Sequence, residues 1–327
     1  MMYSPKHPPV LTVQVDVDTQ RNLFSFYGFE EGPGYEDNVT YQHALPRFAR
    51  LFAEVGIQAT FFVIGEDLAH ERNRRVIRDL HRDGHEIANH TQTHPYQFCN
   101  LSLQDQREEI RQAGQTIAEA IQVAPVGFRA PGYDVTSPTL TVLTELGYQY
   151  DSSVMPSILN PVLKLTQSFM NQKGVRSGYG DWRASFAPTQ PYHPDSRAVW
   201  RAMPSGPLWE IPVASVPYCR LPFYANFNLF SGTTLFRLSA GLASGRDCNY
   251  VFHAIELLGP EEIDPRLHRH PNARLSLEDK FTRCRTFLRT LIDGRRPLLS
   301  REFARELSAG EVAVPTPESG PLATRLW

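Results

Sequence analysis

The chain has 327 residues, 41% of them apolar and 21% charged, enough to bury one large core and too apolar for disorder over most of its length. A net charge of −2 argues against nucleic acid as the main partner, even though Arg supplies 29 of the 33 basic residues.

In chain order, short apolar and β-branched runs at 10–15, 59–64, 86–88, 126–128, 148–150, 208–213 and 250–252 read as strands separated by helical patterns. Pro46 opens one helix, which buries Phe48, Phe52 and Val55 and stops at Gly56. Ser102 opens another, with Asp105 completing a capping box and Ile110, Ala113, Ile117 and Ile121 on one face. Residues 154–207 separate neighbouring strands by far more than a usual connection and read as a functional insertion. A later helix runs from Ser276 toward Gly294 and buries Phe281, Cys284, Leu288 and Leu291. Strands alternating with helices predict an α/β fold, a distorted (β/α) barrel of about seven parallel strands. It forms one domain over 1–308, and a flexible tail rich in Pro, Gly, Ser and Ala follows over 309–327.

Cys99, Cys219, Cys248 and Cys284 are scattered, without C-x-x-C, and read as reduced thiols. The first nine residues lack the apolar stretch of a signal peptide, and no run of about 18 apolar residues could span a bilayer. Taken as the native start, this gives a cytoplasmic expectation. Within the insertion, Ile158, Leu159, Val162, Leu163, Phe169 and Met170 can share one helical face over about 157–170. Such a face could lie on the inner membrane surface as a peripheral contact, close over the site, or join two copies in a homo-oligomer. Arg176, Trp182, Arg183, Tyr192, Trp200 and Arg201 could line a sugar or phosphate pocket, or simply pack.

Polar residues collect where the strands end: Asp16 and Asp18 after the first, His90 and His94 after the third, Arg129 after the fourth, His253 in the last. In α/β sheets and barrels the strand C-terminal ends hold the active site. Two neutral imidazoles from N-H-T-Q-T-H with one carboxylate of Asp16-Val17-Asp18 give three ligands and an open position, which suits zinc hydrolysis. The run lacks the Glu that H-E-x-x-H supplies in metalloproteases.

The pieces V-D-V-D-T at 15–19, A-T-F-F-V-I-G at 59–65, G-H-E-I-A-N-H-T-Q-T-H at 84–94, F-R-A-P-G-Y at 128–133 and V-F-H at 251–253 stand in one order over about 10–260. They resemble the polysaccharide deacetylase family, carbohydrate esterase family 4, with its nodulation-deacetylase homology domain. The single residue between the aspartates is similar to a cytoplasmic branch that includes aminoarabinose-lipid deformylases. The resemblance implies Asp18, His90 and His94 as ligands of a divalent metal, zinc by default, though such sites accept other first-row ions. It further implies Asp16 as general base, Arg129 as the partner keeping it charged and oriented, and His253 as the acid that protonates the departing amine. A backbone N–H of Gly132 or Tyr133 would face the oxyanion. Asp151 and Glu256 are both candidate partners of His253, and His85 a support behind the ligands.

The expected activity is metal-dependent removal of an acetyl or formyl group from an amino sugar, lipid- or nucleotide-linked, in glycan biosynthesis. Two alternatives stand beside it: hydrolysis of a non-sugar amide or cyclic ureide, and a non-catalytic sugar-binding protein on a degenerate deacetylase fold.

Overall fold

Strand β1 (Val10–Asp16) is buried along all seven residues and shows the alternation of a strand with two covered faces. Leu11, Val13 and Val15 pack against Phe48 and Phe52 of the helical layer. Thr12, Gln14 and Asp16 point the other way and bond Asn249, Ser300 and Arg129. This polar inner row is the base on which the site is built.

The computed structural model describes residues 8–30, 39–95, 97–159 and 182–312. After β1 come β2 (Thr60–Val63), β3 (Glu86–Asn89), β4 (Gly127–Phe128), β5 (Tyr150–Asp151), β6 (His193–Asp195), β7 (Ala198–Met203), β8 (Trp209–Glu210), β9 (Cys248–His253) and β10 (Arg296–Leu298). The helices are α1 (Gln20–Tyr27), α2 (Leu45–Val55), α3 (Glu71–Arg82), α4 (Leu103–Ile121), α5 (Ser137–Glu145), α6 (Ala225–Ser231), α7 (Thr233–Leu242), α8 (Leu277–Ile292) and α9 (Ser300–Val312). Seven parallel strands run in the order β9-β1-β2-β3-β4-β5-β8, and β10 adds a short parallel pairing to the lower half of β1. This curled α/β sheet is the expected barrel. Its two edges approach where Ala214 N–H donates to Asn249 C=O at 3.0 Å, just beyond β8.

The helix ends follow the sequence signals. Gly56 closes α2 at φ 73°. Ser102 and Ser276 cap α4 and α8 by accepting the N–H of Asp105 and Asp279, both at 3.1 Å. In the insertion, β6 and β7 form an antiparallel hairpin, and Tyr192 and Val199 enter a core cluster with Phe98, Phe128 and Leu208. The guanidiniums of Arg183 and Arg201 lie 5.3 and 4.6 Å from the Trp200 ring. Tyr192 is thus a core packing residue, while Arg183 and Arg201 stay exposed beside the Trp200 ring. Of the proposed amphipathic face, Val162, Leu163, Phe169 and Met170 lie outside the described residues, as does Arg176. Among the described residues no helix is long and apolar enough to cross a membrane.

Helix α9 runs through the 308/309 boundary expected from composition. Its Phe303, Ala304 and Leu307 pack with Val10, Phe62, Tyr150, Trp209 and Ile211 on the inner side of the sheet. Glu311 holds His193 of the hairpin at 2.7 Å. Residues 313–327 lie outside the described residues.

Candidate metal centre and active site

Asp16 and Asp18 are two residues apart, so strand alternation sends both side chains toward the inner, upper end of the sheet. Asp18 Oδ1 lies 3.4 Å from His90 Nε2 and 3.2 Å from His94 Nε2. The His pair is not helical despite its i, i+4 spacing: Thr91 at φ 68° and His94 at φ 52° fold the run into a loop. Asn89 Oδ1 accepts the Thr91 N–H, and Glu109 Oε2 on α4 accepts the N–H groups of Gln92 and Thr93 at 3.0 and 2.8 Å. Gly65 and Glu66 donate to the carbonyls of Thr91 and Gln92. At Gly65 a Cβ would overlap the end of the Gln92 side chain and stand 3.0 Å from Ala113 Cα of α4, so a larger residue there would displace Gln92.

His90 Nδ1 is 2.8 Å from the Arg129 carbonyl. A carbonyl only accepts, so Nδ1 carries the proton and, in the neutral ring, the Nε2 lone pair faces Asp18. Asp18 Oδ1 is buried and has no hydrogen-bond partner. Lone pairs and a carboxylate oxygen converging without a proton between them suit a cation, and the three ligand atoms all lie within 4.8 Å of one another. Burial pushes the Asp18 carboxyl up, and with both imidazoles protonated their charge and N–H groups would outweigh it and hold it well below the usual carboxylate range, the place a cation takes when the rings are neutral. The donor set fits a divalent metal.

Beside this centre, Arg129 is fully buried and its guanidinium is spent on four acceptors. Nη1 meets Asp16 Oδ1 at 2.5 Å, Nη2 meets Gln14 Oε1 and Ser152 Oγ, and Nε meets Ser152 C=O at 2.7 Å. Phe62 covers one face of the guanidinium at 4.3 Å. The second Asp16 oxygen accepts from Tyr133 Oη at 3.0 Å and lies 3.6 Å from His253 Nε2. On its other side, His253 Nδ1 faces Glu256 Oε1 at 3.4 Å. Burial works to lower the His253 pKa, but Glu256 and Asp16 outweigh it and raise the group to about 9.

A model of the polysaccharide deacetylase family matches residues 26–150. Over that segment the chain is similar to that family. Its relatives include a peptidoglycan deacetylase of Helicobacter pylori, 25% identical over 45% of this chain and 50% of its own length. A peptidoglycan-N-acetylglucosamine deacetylase of Bacillus cereus is 31% identical over 37% of this chain and 52% of its own. The chain thus spans about half the length of the curated relatives it matches. A solved structure from Mycobacterium smegmatis, described as a suspected polysaccharide deacetylase, shares the fold over 98% of both chains at TM-score 0.61 and 19% identity. The allantoinase Puue does so over 94% of both at TM-score 0.57 and 16% identity.

Against the family pattern, three expectations change. Tyr133 N–H donates to the Ala130 carbonyl at 3.1 Å, so the turn itself consumes it and Gly132 N–H is left as the candidate oxyanion donor. Asp151 is not the partner of His253. Tyr150 and Ser152 point inward, so Asp151 points outward, where it pairs with Glu210 from the neighbouring strand. Burial raises both of these carboxyls, and Ser153 Oγ and Val154 N–H supply hydrogen bonds. His85 lies at the opposite end of the sheet, where its Nδ1 accepts Ala59 N–H and its ring packs on Phe52 and Phe61. The sequence reading also missed the phenol of Tyr133, the Gln14 contact and the Glu109 anchor. The polar alternation Thr12-x-Gln14-x-Asp16 signals Gln14; nothing in the sequence signals Glu109.

Proposed function

We propose that the chain is a divalent-metal-dependent amide hydrolase that removes the acetyl group from an N-acetylamino sugar. The observation that carries this reading is the convergence of the His90 and His94 Nε2 atoms on an otherwise unbonded Asp18 Oδ1, beside an Asp16 already held by Arg129. Zinc suits the two-nitrogen, one-oxygen donor set, and when bound it supplies the Lewis acidity that polarises an amide carbonyl and makes water a better nucleophile. Asp16, pinned at Oδ1 by Arg129, takes the proton of the attacking water on Oδ2. Gly132 N–H meets the developing oxyanion. His253, protonated at neutral pH through Glu256 and Asp16, gives its proton to the departing amine. The named activities of the peptidoglycan and chitooligosaccharide relatives favour acetyl over formyl and a sugar over another amide.

The test is acetate release by zinc-loaded protein from N-acetylamino sugars offered free, as oligomers, nucleotide-linked and lipid-linked. Wild type releases acetate. Asp16→Asn retains metal and loses about 10²–10⁴-fold in kcat. His90→Ala loses the metal. Opening of a cyclic ureide without acetate release would move the reading to the non-sugar branch, and metal loss from Asp16→Asn would exchange the roles of the two aspartates.

A further inference from the structure

The phenol of Tyr133 sits between the two groups assigned as base and acid. Its Oη is 3.0 Å from Asp16 Oδ2 and 3.2 Å from His253 Nε2, whereas those two atoms are 3.6 Å apart, beyond a good hydrogen bond. Two consecutive left-handed residues, Gly132 at φ 63° and Tyr133 at φ 58°, deliver the ring to this position. A left-handed aromatic residue is strained and persists only where its surroundings over-determine it. Met155, Val213 and Val251 form the apolar cluster against which the Tyr133 ring packs.

We propose that Tyr133 is a positioning residue that returns a proton from Asp16 to His253 after each turnover, an inference that rests on the amide-hydrolase reading. Hydrolysis leaves both groups in the wrong state, since Asp16 has gained a proton from water and His253 has lost one to the amine. The Asp16 side chain is 2% exposed and the His253 side chain 21%, so bulk buffer reaches the second far better than the first. Before turnover His253 Nε2–H donates to Oη and Oη–H donates to Asp16. After turnover the polarity reverses, with Asp16 Oδ2–H donating to Oη and Oη–H to His253 Nε2. Shifting each proton one place breaks the Oδ2–H and old Oη–H bonds and forms a new Oη–H and an Nε2–H bond. The phenol ends neutral, as it began, and no co-reactant is consumed. Burial first, and then the Asp16 charge, push the phenol well above its ordinary value, so it stays protonated between transfers.

The experiment compares zinc-loaded wild type with Tyr133→Phe in dilute and concentrated imidazole buffer, with metal content and thermal midpoint as controls on folding. In both buffers the variant keeps its KM and its first-turnover rate but loses about tenfold or more in steady-state kcat, because imidazole can reprotonate the exposed His253 but does not reach the proton left on the buried Asp16. An unchanged kcat, a loss already present in the first turnover, or a loss that concentrated buffer repairs overturns the proposal. Independently of any activity, the bridge predicts a slowly exchanging His253 Nε2–H proton in the NMR spectrum of the zinc-loaded wild type. Its absence overturns the bridge, whereas its presence in a protein that releases no acetate would place the failure in the hydrolase reading.

Discussion

His253 holds its proton because of where two carboxylates stand. Its pKa is raised to about 9, against the burial that would lower it, by Glu256 at Nδ1 and Asp16 across Nε2. A group raised in this way is charged below the shifted value, so the acid it supplies is present at neutral pH and lost as pH rises through about 9. Glu256→Gln removes one of those charges, and the alkaline limb of kcat against pH moves down by about one unit or more. A limb that stays in place would show that Glu256 does not tune the acid. The choice of Glu256 over Asp151 turns on strand parity. Asp16, His90, Arg129 and His253 were legible as polar residues at strand ends, but Asp151 shares that signal and faces outward because Tyr150 before it faces in. Only the alternation decides, and a two-residue strand displays too little of it to read from the sequence.

At the scale of elements, the inner face of the sheet is crowded where β4 meets β5. Gly127 lies opposite Tyr150 in the parallel register, and a Cβ there would overlap the Tyr150 ring, whose hydroxyl donates to Glu86 at 2.9 Å. Gly127→Ala therefore overpacks a buried site and should destabilise by about 1–3 kcal/mol. In urea this appears as a lower midpoint at unchanged slope, and a midpoint equal to that of wild type would show that the ring can yield. The seven strands and the α2, α4 and α8 boundaries were readable because β-branched runs, proline, serine caps and glycine stops each act locally. The β6–β7 hairpin and β10 were not. The first is interrupted by Pro194 and has a register irregularity, and the second is a three-residue strand containing Pro297.

For the whole molecule, the least legible element is the one that ties the far ends of the chain together. Helix α9 offers only Phe303, Ala304 and Leu307 as a buried apolar face, a pattern too sparse to separate from a tail. Its first residue nevertheless enters the polar interior. Ser300 Oγ accepts from Gln14 Nε2 at 2.9 Å and from Thr60 Oγ1 at 3.0 Å, while Arg301 N–H donates to the buried Glu86 at 3.0 Å. Gln14 in turn accepts from the same guanidinium that holds Asp16, so the helix start and the catalytic end of the barrel belong to one hydrogen-bonded column. Ser300→Ala leaves the Gln14 amide without its acceptor, at a cost of about 1–3 kcal/mol, while the Thr60 hydroxyl keeps Glu86 Oε2 at 2.8 Å. Because the column reaches the Arg129 guanidinium, whereas His90 bonds only the Arg129 main-chain carbonyl, kcat should fall while zinc content and KM hold. A variant as stable and as active as wild type would sever the column at Gln14 and reduce α9 to a plug. Stability lost with kcat intact would confine its effect to the lower half of the barrel.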